Sequence, residues 1–191
     1  MINKPKGYDD AQTYSENRKL PAGGYVIEIK KAEVGSYDNG NQYLQIAFDI
    51  CEGEFKDFYV DQYNNSTFEP KQYKGRIRLG LPKEDGTEQD NWTLRNLKTN
   101  MVAIEESNND YTWDWDETKL KGLKAGMLFR NKEYSYNGNN GFWTEPFKFF
   151  NIDKIREGKF EIPKDKLLSN SSEPTNIPKG FEAIDDDEIP F

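Results

Sequence analysis

Apolar and polar residues alternate with a period of two over several short stretches, and with a helical period over one. Gly24 to Val34 is rich in β-branched and aromatic residues and predicts a first strand. The Asn39-Gly40 step that follows marks a hairpin turn. Tyr43 to Ile50 then alternates without a break. Leu44, Ile46, Phe48 and Ile50 share one face, and Tyr43, Gln45, Ala47 and Asp49 share the other. Glu52-Gly53-Glu54 turns the chain into a third predicted strand, Phe55 to Tyr63, where Phe58 and Val60 alternate with Tyr59, Asp61 and Tyr63. Asn64 to Asp90 reads as a long irregular excursion, the kind of segment that is usually functional or mobile. A helix follows, opened by Asp90 or Asn91. Its apolar face is Leu94, Leu97, Met101 and Ile104, at spacings of three, four and three. Met127 to Glu133 predicts a fourth strand, Tyr134 to Gly141 a second Asn-Gly hairpin, and Phe142 to Phe150 a fifth strand.

Three strands, a helix and two further strands describe a mainly β chain. The order is that of an OB-fold, a five-stranded Greek-key barrel with its helix between strands three and four. A β-sandwich with an inserted helix is the alternative architecture. Residues 1–20 are polar and aperiodic and read as an N-terminal arm, and residues 21–163 as the domain. Residues 164–191 read as a disordered linker and an acidic tail, because Ser169 to Gly180 has no apolar period and low-complexity composition.

Composition narrows the chemistry. Histidine is absent among the 191 residues, which removes Ser-His and Cys-His nucleophilic pairs and every imidazole metal site. The lone Cys51 rules out an intrachain disulfide and a zinc finger, and fits a reducing compartment. No secretory h-region or membrane-spanning apolar run is present, so the expectation is a soluble, unsecreted protein without a membrane. The net charge of −8 is uneven. From Glu161 onward eight acids face three lysines, leaving a nearly neutral body and a strongly acidic tail.

Aromatic residues are abundant, with 12 Phe, 11 Tyr and 4 Trp. Single-strand nucleic-acid binders use such rings as platforms for bases and interleave them with cations for the backbone. Tyr43 lies opposite the aliphatic row of strand two, and Tyr59 and Tyr63 opposite that of the predicted strand three. Tyr37 sits in the first hairpin, and Tyr134, Tyr136 and Trp143 at or beside the second. An OB-fold binds with strands two and three and the loops joining strands one to two and four to five. Tyr73 lies in the excursion, and Lys30, Arg76, Arg78, Arg130 and Lys132 supply cations. A strand tyrosine packs under a loop about as often as it binds, so the weight rests on the group rather than on any one ring. Trp92, Trp113 and Trp115 are assigned to the core or its rim. Carboxylates such as Asp114 and Asp116 have no spacing that singles out a catalytic pair, and no Gly-rich loop matches a phosphate cradle. The chain does not read as an enzyme and calls for neither metal nor cofactor.

The tail ends Asp185-Asp186-Asp187-Glu188-Ile189-Pro190-Phe191. A solubilising acidic run accounts for the acids but not for the apolar tripeptide. Ring, carboxylates and free end together form a unit that a basic-rimmed apolar pocket can capture. This stretch resembles the C-terminal tip of bacterial single-stranded-DNA-binding proteins, with one Glu interposed between the Asp run and Ile189. The body is similar to phage and prophage members of low-GC Gram-positive bacteria. The similarity lies in Leu20-Pro-Ala-Gly-Gly-Tyr25, Leu44 to Phe55 and Asp153 to Pro163. The resemblance implies an OB-fold that coats single-stranded DNA without marked sequence preference, and a tip that docks on replication and recombination proteins. A homo-oligomer is left open. A carbohydrate-binding β module is the alternative, since Tyr and Trp platforms beside 18 Asn also suit sugars.

Overall fold

The computed structural model describes residues 3–6, 8 and 18–168. The body is mainly β, one five-stranded antiparallel sheet in the order β3-β2-β1-β4-β5. The strands are β1 (Gly23–Ser36), β2 (Gln42–Ile50), β3 (Arg76–Gly80), β4 (Lys124–Tyr136) and β5 (Asn139–Phe150). The helices are α1 (Phe58–Asn65), α2 (Glu88–Glu106) and α3 (Ile152–Arg156), and a single 3-10 turn covers Glu117–Leu120. No ladder joins β3 to β5 among the described residues, so the sheet is open between its two edges.

β1 organises the sheet because it serves two partners. Gly23 to Glu28 pair with β4, while Ile27 to Ser36 pair with β2, and the register shifts between Ile29 and Lys31. Such a shift bends a strand and increases its twist. It lets one strand pass from one half of the sheet to the other. The β4–β5 turn is Asn137-Gly138, both at positive φ (49° and 77°), the conformation a two-residue hairpin needs to match strand twist.

The inner face carries Ile27, Ile29, Leu44, Ile46, Phe48, Ile50, Met127, Phe129 and Phe149, all buried. The row expected from the alternation of β2 is therefore the core row. α2 lies between β3 and β4 in sequence and packs against β3, β4 and β5. It starts at Thr87, whose hydroxyl accepts the Asp90 amide at 3.1 Å, one turn earlier than the sequence reading placed it. Leu97, Met101 and Ile104 are buried as the helical period requires, whereas Leu94 is exposed. Buried Asn100 ties helix to sheet: its side-chain oxygen accepts the Phe149 amide at 2.8 Å. A second, smaller cluster on the other face holds Val26, Leu128, Ile152 and Ile155.

The predicted third strand, Phe55 to Tyr63, is a correction: from Phe58 onward it is helix α1. Phe58 and Tyr59 are both buried while Val60 is 38% exposed, which no two-residue period allows. The cause is Asp49, only 2% exposed at the end of β2. Its carboxylate accepts the amides of Ile50 (2.8 Å), Tyr59 (2.9 Å) and Val60 (2.9 Å), capping the first turn of α1 from the preceding strand. The actual third strand is Arg76–Gly80, inside the stretch read as irregular. Of the tryptophans, Trp113 packs on the core, but Trp92 and Trp115 are largely exposed.

Past α3 the chain returns to the sheet. The Lys166 amide donates to the Asn131 carbonyl and the Glu133 amide to the Lys166 carbonyl, each at 2.8 Å. Residues around Lys166 thus occupy the edge of β4 that β1 has left beyond Phe129. The acidic tip, Asp185 to Phe191, lies outside the described residues.

Candidate functional site

The face of β1–β2–β3 opposite the core carries a polar row across three strands. Register aligns Glu33, Gln45 and Arg78. The Gln45 amide nitrogen donates to Glu33 at 3.3 Å, and its oxygen accepts from Arg78 Nε at 3.1 Å. Lys31 pairs with Glu33 at 2.5 Å and holds that carboxyl below its usual range. One row away, Tyr43 lies over Gly35, where an added Cβ would stand 2.6 Å from the ring, so a side chain at position 35 would displace it. Tyr37, from the β1–β2 turn, meets Tyr43 with ring centroids 4.5 Å apart. The Arg78 guanidinium sits 4.6 Å from the Tyr43 centroid and 5.7 Å from that of Tyr37. Two rings and one guanidinium thus form a single unit, with Arg76 exposed two residues before Arg78 on the same strand face.

A second unit lies on the outward face of the β4–β5 hairpin. Lys132 Nζ is 5.4 Å from the Trp143 ring centroid, its cross-strand partner. Tyr134 covers Gly141, and Tyr136 lies at the hairpin end; both rings are exposed. Arg130 is on the same face, but Glu145 engages it at 2.7 Å and matches its charge. Lys30 is likewise matched, by Glu28 at 2.9 Å.

The excursion contributes a third group. Tyr63, on α1 rather than on a strand, stands 6.1 Å from Tyr73, with Lys71 Nζ 5.9 Å from the Tyr63 ring. Tyr73 is half-buried and donates its hydroxyl to the Phe48 carbonyl at 3.0 Å. Burial and the Asp49 charge hold its phenol far above the ordinary tyrosine value. Tyr59, expected as a surface platform, is 5% exposed and packs edge-on against Phe48 and Phe58, so it belongs to the core. Its phenol is raised by the same two causes.

The expected residues therefore gather in three groups: Tyr37, Tyr43, Arg76 and Arg78; Arg130, Lys132, Tyr134, Tyr136 and Trp143; and Tyr63 with Tyr73. Gln45, which holds Arg78, was visible only as a neighbour of Tyr43, since its role depends on register with β1 and β3. No group of three or more His, Cys, Asp or Glu placed to hold a metal ion occurs among the described residues. No described helix is long and apolar enough to cross a membrane.

The fold and these surfaces define a mainly β protein whose outward strand faces pair aromatic rings with cations. Compared with known families, residues 6–78 match the model described as "Protein of unknown function (DUF669)", a stretch that contains β1, β2, α1 and the start of β3. The comparison with curated proteins gave no match.

Proposed function

We propose that this chain is a phage-type single-stranded-DNA-binding protein with an OB-fold body. The observation that carries the proposal is the Tyr37–Tyr43–Arg78 unit on the outward face of β2 and β3, at the first hairpin. Bases stack on its rings, and Arg76, Arg78 and Lys132 meet phosphates. The Trp143–Lys132 unit on the second hairpin offers the same pairing of ring and cation. Support for the OB-fold comes from the element order, from β1 shared between β2 and β4, and from α2 set between β3 and β4 against both edges of the sheet. Closing the barrel between β3 and β5 belongs to this reading.

Binding is passive, needs no cofactor and carries little base preference, because every base has a π-face. In the bacterial cytoplasm, Asp185 to Phe191 then brings replication or recombination proteins to the coated strand. The test is intrinsic fluorescence titrated with oligo-dT at low and moderate salt. Saturable quenching that weakens with salt and disappears in a Tyr43→Ala, Arg78→Ala chain is the expected result. Quenching by oligosaccharides and not by oligo-dT would replace DNA with carbohydrate.

A further inference from the structure

Rings and cations alternate without a break along the second half of β5 and into α3. The Arg130 guanidinium lies 4.7 Å from the Phe147 ring centroid, and Lys148 Nζ lies 5.8 Å from the same ring. Lys148 also stands 5.9 Å from the Phe150 ring, and Lys154 5.8 Å from it on the α3 side. A bulge sets this alignment. Register pairs Leu128 with Lys148 and Phe129 with Pro146, so Phe147 is the extra residue of β5. Strand parity alone would place Phe147 on the face of Phe149, which is 1% exposed in the core; the bulge re-aims it, and it is 39% exposed. At its far end the run opens into a groove of about 490 Å³ between α2 and the junction of β5 with α3. There Arg95 and Lys98 of α2 join Lys148 and Lys154 on the lining. Arg130, where the run begins, is matched by Glu145, and Lys30, Lys31, Lys119 and Arg156 elsewhere each face a carboxylate. Among the described residues no ion pair engages the four groove cations, and Glu106 is the single acid on the lining.

We propose that Phe147, Lys148, Phe150 and Lys154, with Arg95 and Lys98 across the groove, form a second site for single-stranded nucleic acid. For its ligand class the inference rests on the function proposed above, but it shares no residue with the Tyr37–Tyr43–Arg78 and Lys132–Trp143 units that carry that reading. Alternating rings and cations match a polymer in which bases and phosphates alternate. Bases stack on the two phenylalanines, and the groove cations take the backbone. An acidic peptide would answer the cations but offer no flat partner to the rings. A strand from a second copy is disfavoured as well, because β5 is an edge strand and Pro146 has no N–H to give to a neighbour. The first unit belongs to β2, β3 and the turn before them, the second to β5, α2 and α3. A chain with both holds two stretches of single strand at once.

Phenylalanine rings are silent in the fluorescence titration described above, so the second site is read by NMR. The full-length ¹⁵N-labelled chain is titrated with a short oligo-dT at low salt. The amide signals of Phe147, Lys148, Phe150 and Lys154 should move, less so as salt rises. They should keep moving in the Tyr43→Ala, Arg78→Ala chain. In a Lys148→Glu, Lys154→Glu chain those shifts should be lost while the Tyr43-dependent quenching remains. Signals that stay still in the parent chain, or that lose their response in the Tyr43→Ala, Arg78→Ala chain, would overturn the proposal; quenching that persists beside them would leave the first site standing. Moving signals without quenching would do the reverse, keeping the β5 site and removing the one at the first hairpin. Poly-glutamate that moved the signals as far as oligo-dT would assign the run to acidic peptides and overturn the proposal. Should the charge-reversed chain misfold, the other two titrations decide the question.

Discussion

Asp49 has almost no water around it and yet three backbone amides point at it. Those donors offset the cost of burying its carboxylate, and one of its oxygens accepts the Val60 amide. Asp49→Asn places an amide NH2 against at least one of these N–H groups and should destabilise the fold by ~2 kcal/mol, measured by urea unfolding. A variant as stable as the parent would mean that α1 does not depend on this cap. Burial, together with the charge of the same carboxylate, raises the Tyr59 and Tyr73 phenols, and burial pushes Tyr111 up to about 12. A phenol raised in the folded state contributes stability that is complete below the unfolded value near 10 and is lost as pH climbs through it towards the folded value. Alkaline titration should therefore show Tyr59 and Tyr73 ionising only together with unfolding. Ionisation of both while the chain stays folded would contradict it. At the candidate site, Tyr43→Ala should cost about 1–3 kcal/mol of oligo-dT affinity, whereas Tyr59→Phe, in the core, should leave affinity unchanged in the titration described above.

The helix α2 shows how a local signal sets an element. Thr87 accepts the Asp90 amide, and the apolar face of the helix then falls on the sheet. Thr87→Ala should cost about 1 kcal/mol of stability by thermal or urea unfolding; no loss would place the cap elsewhere. Elements of this sort were legible in the sequence because their causes are local. The alternation of β2, the helical spacing from Leu97 to Ile104 and the Asn-Gly turns each specify structure within a few residues. α1 and β3 were exchanged for the opposite reason. Phe55 to Tyr63 alternates passably, and only the carboxylate of Asp49, reaching across the turn, winds it into a helix. Arg76–Gly80 is five residues long and owes its strand state to pairing with β2. The site was legible to the same degree. Tyr37, Tyr43 and Arg78 are positioned by a hairpin and by strand parity, while the burial of Tyr59 follows from a helix the pattern did not reveal.

At the scale of the molecule, a nearly neutral body with a few cations beside rings should bind single strands mainly by stacking. The plot of log affinity against log salt should then be shallow, with a slope of about −2 for three phosphate contacts. A much steeper slope would require a wider cationic track than Arg76, Arg78 and Lys132 provide. The passage of β1 from β4 to β2 has its own consequence. It leaves the outer half of β4 with an unpaired rim, and the stretch around Lys166 seals it. Exposed strand rims recruit other strands, including those of neighbouring molecules. Shortening the chain to Pro163 would unseal this rim and add one more exposed edge to the sheet. Ending it just past Leu168 would remove the acid and keep the seal.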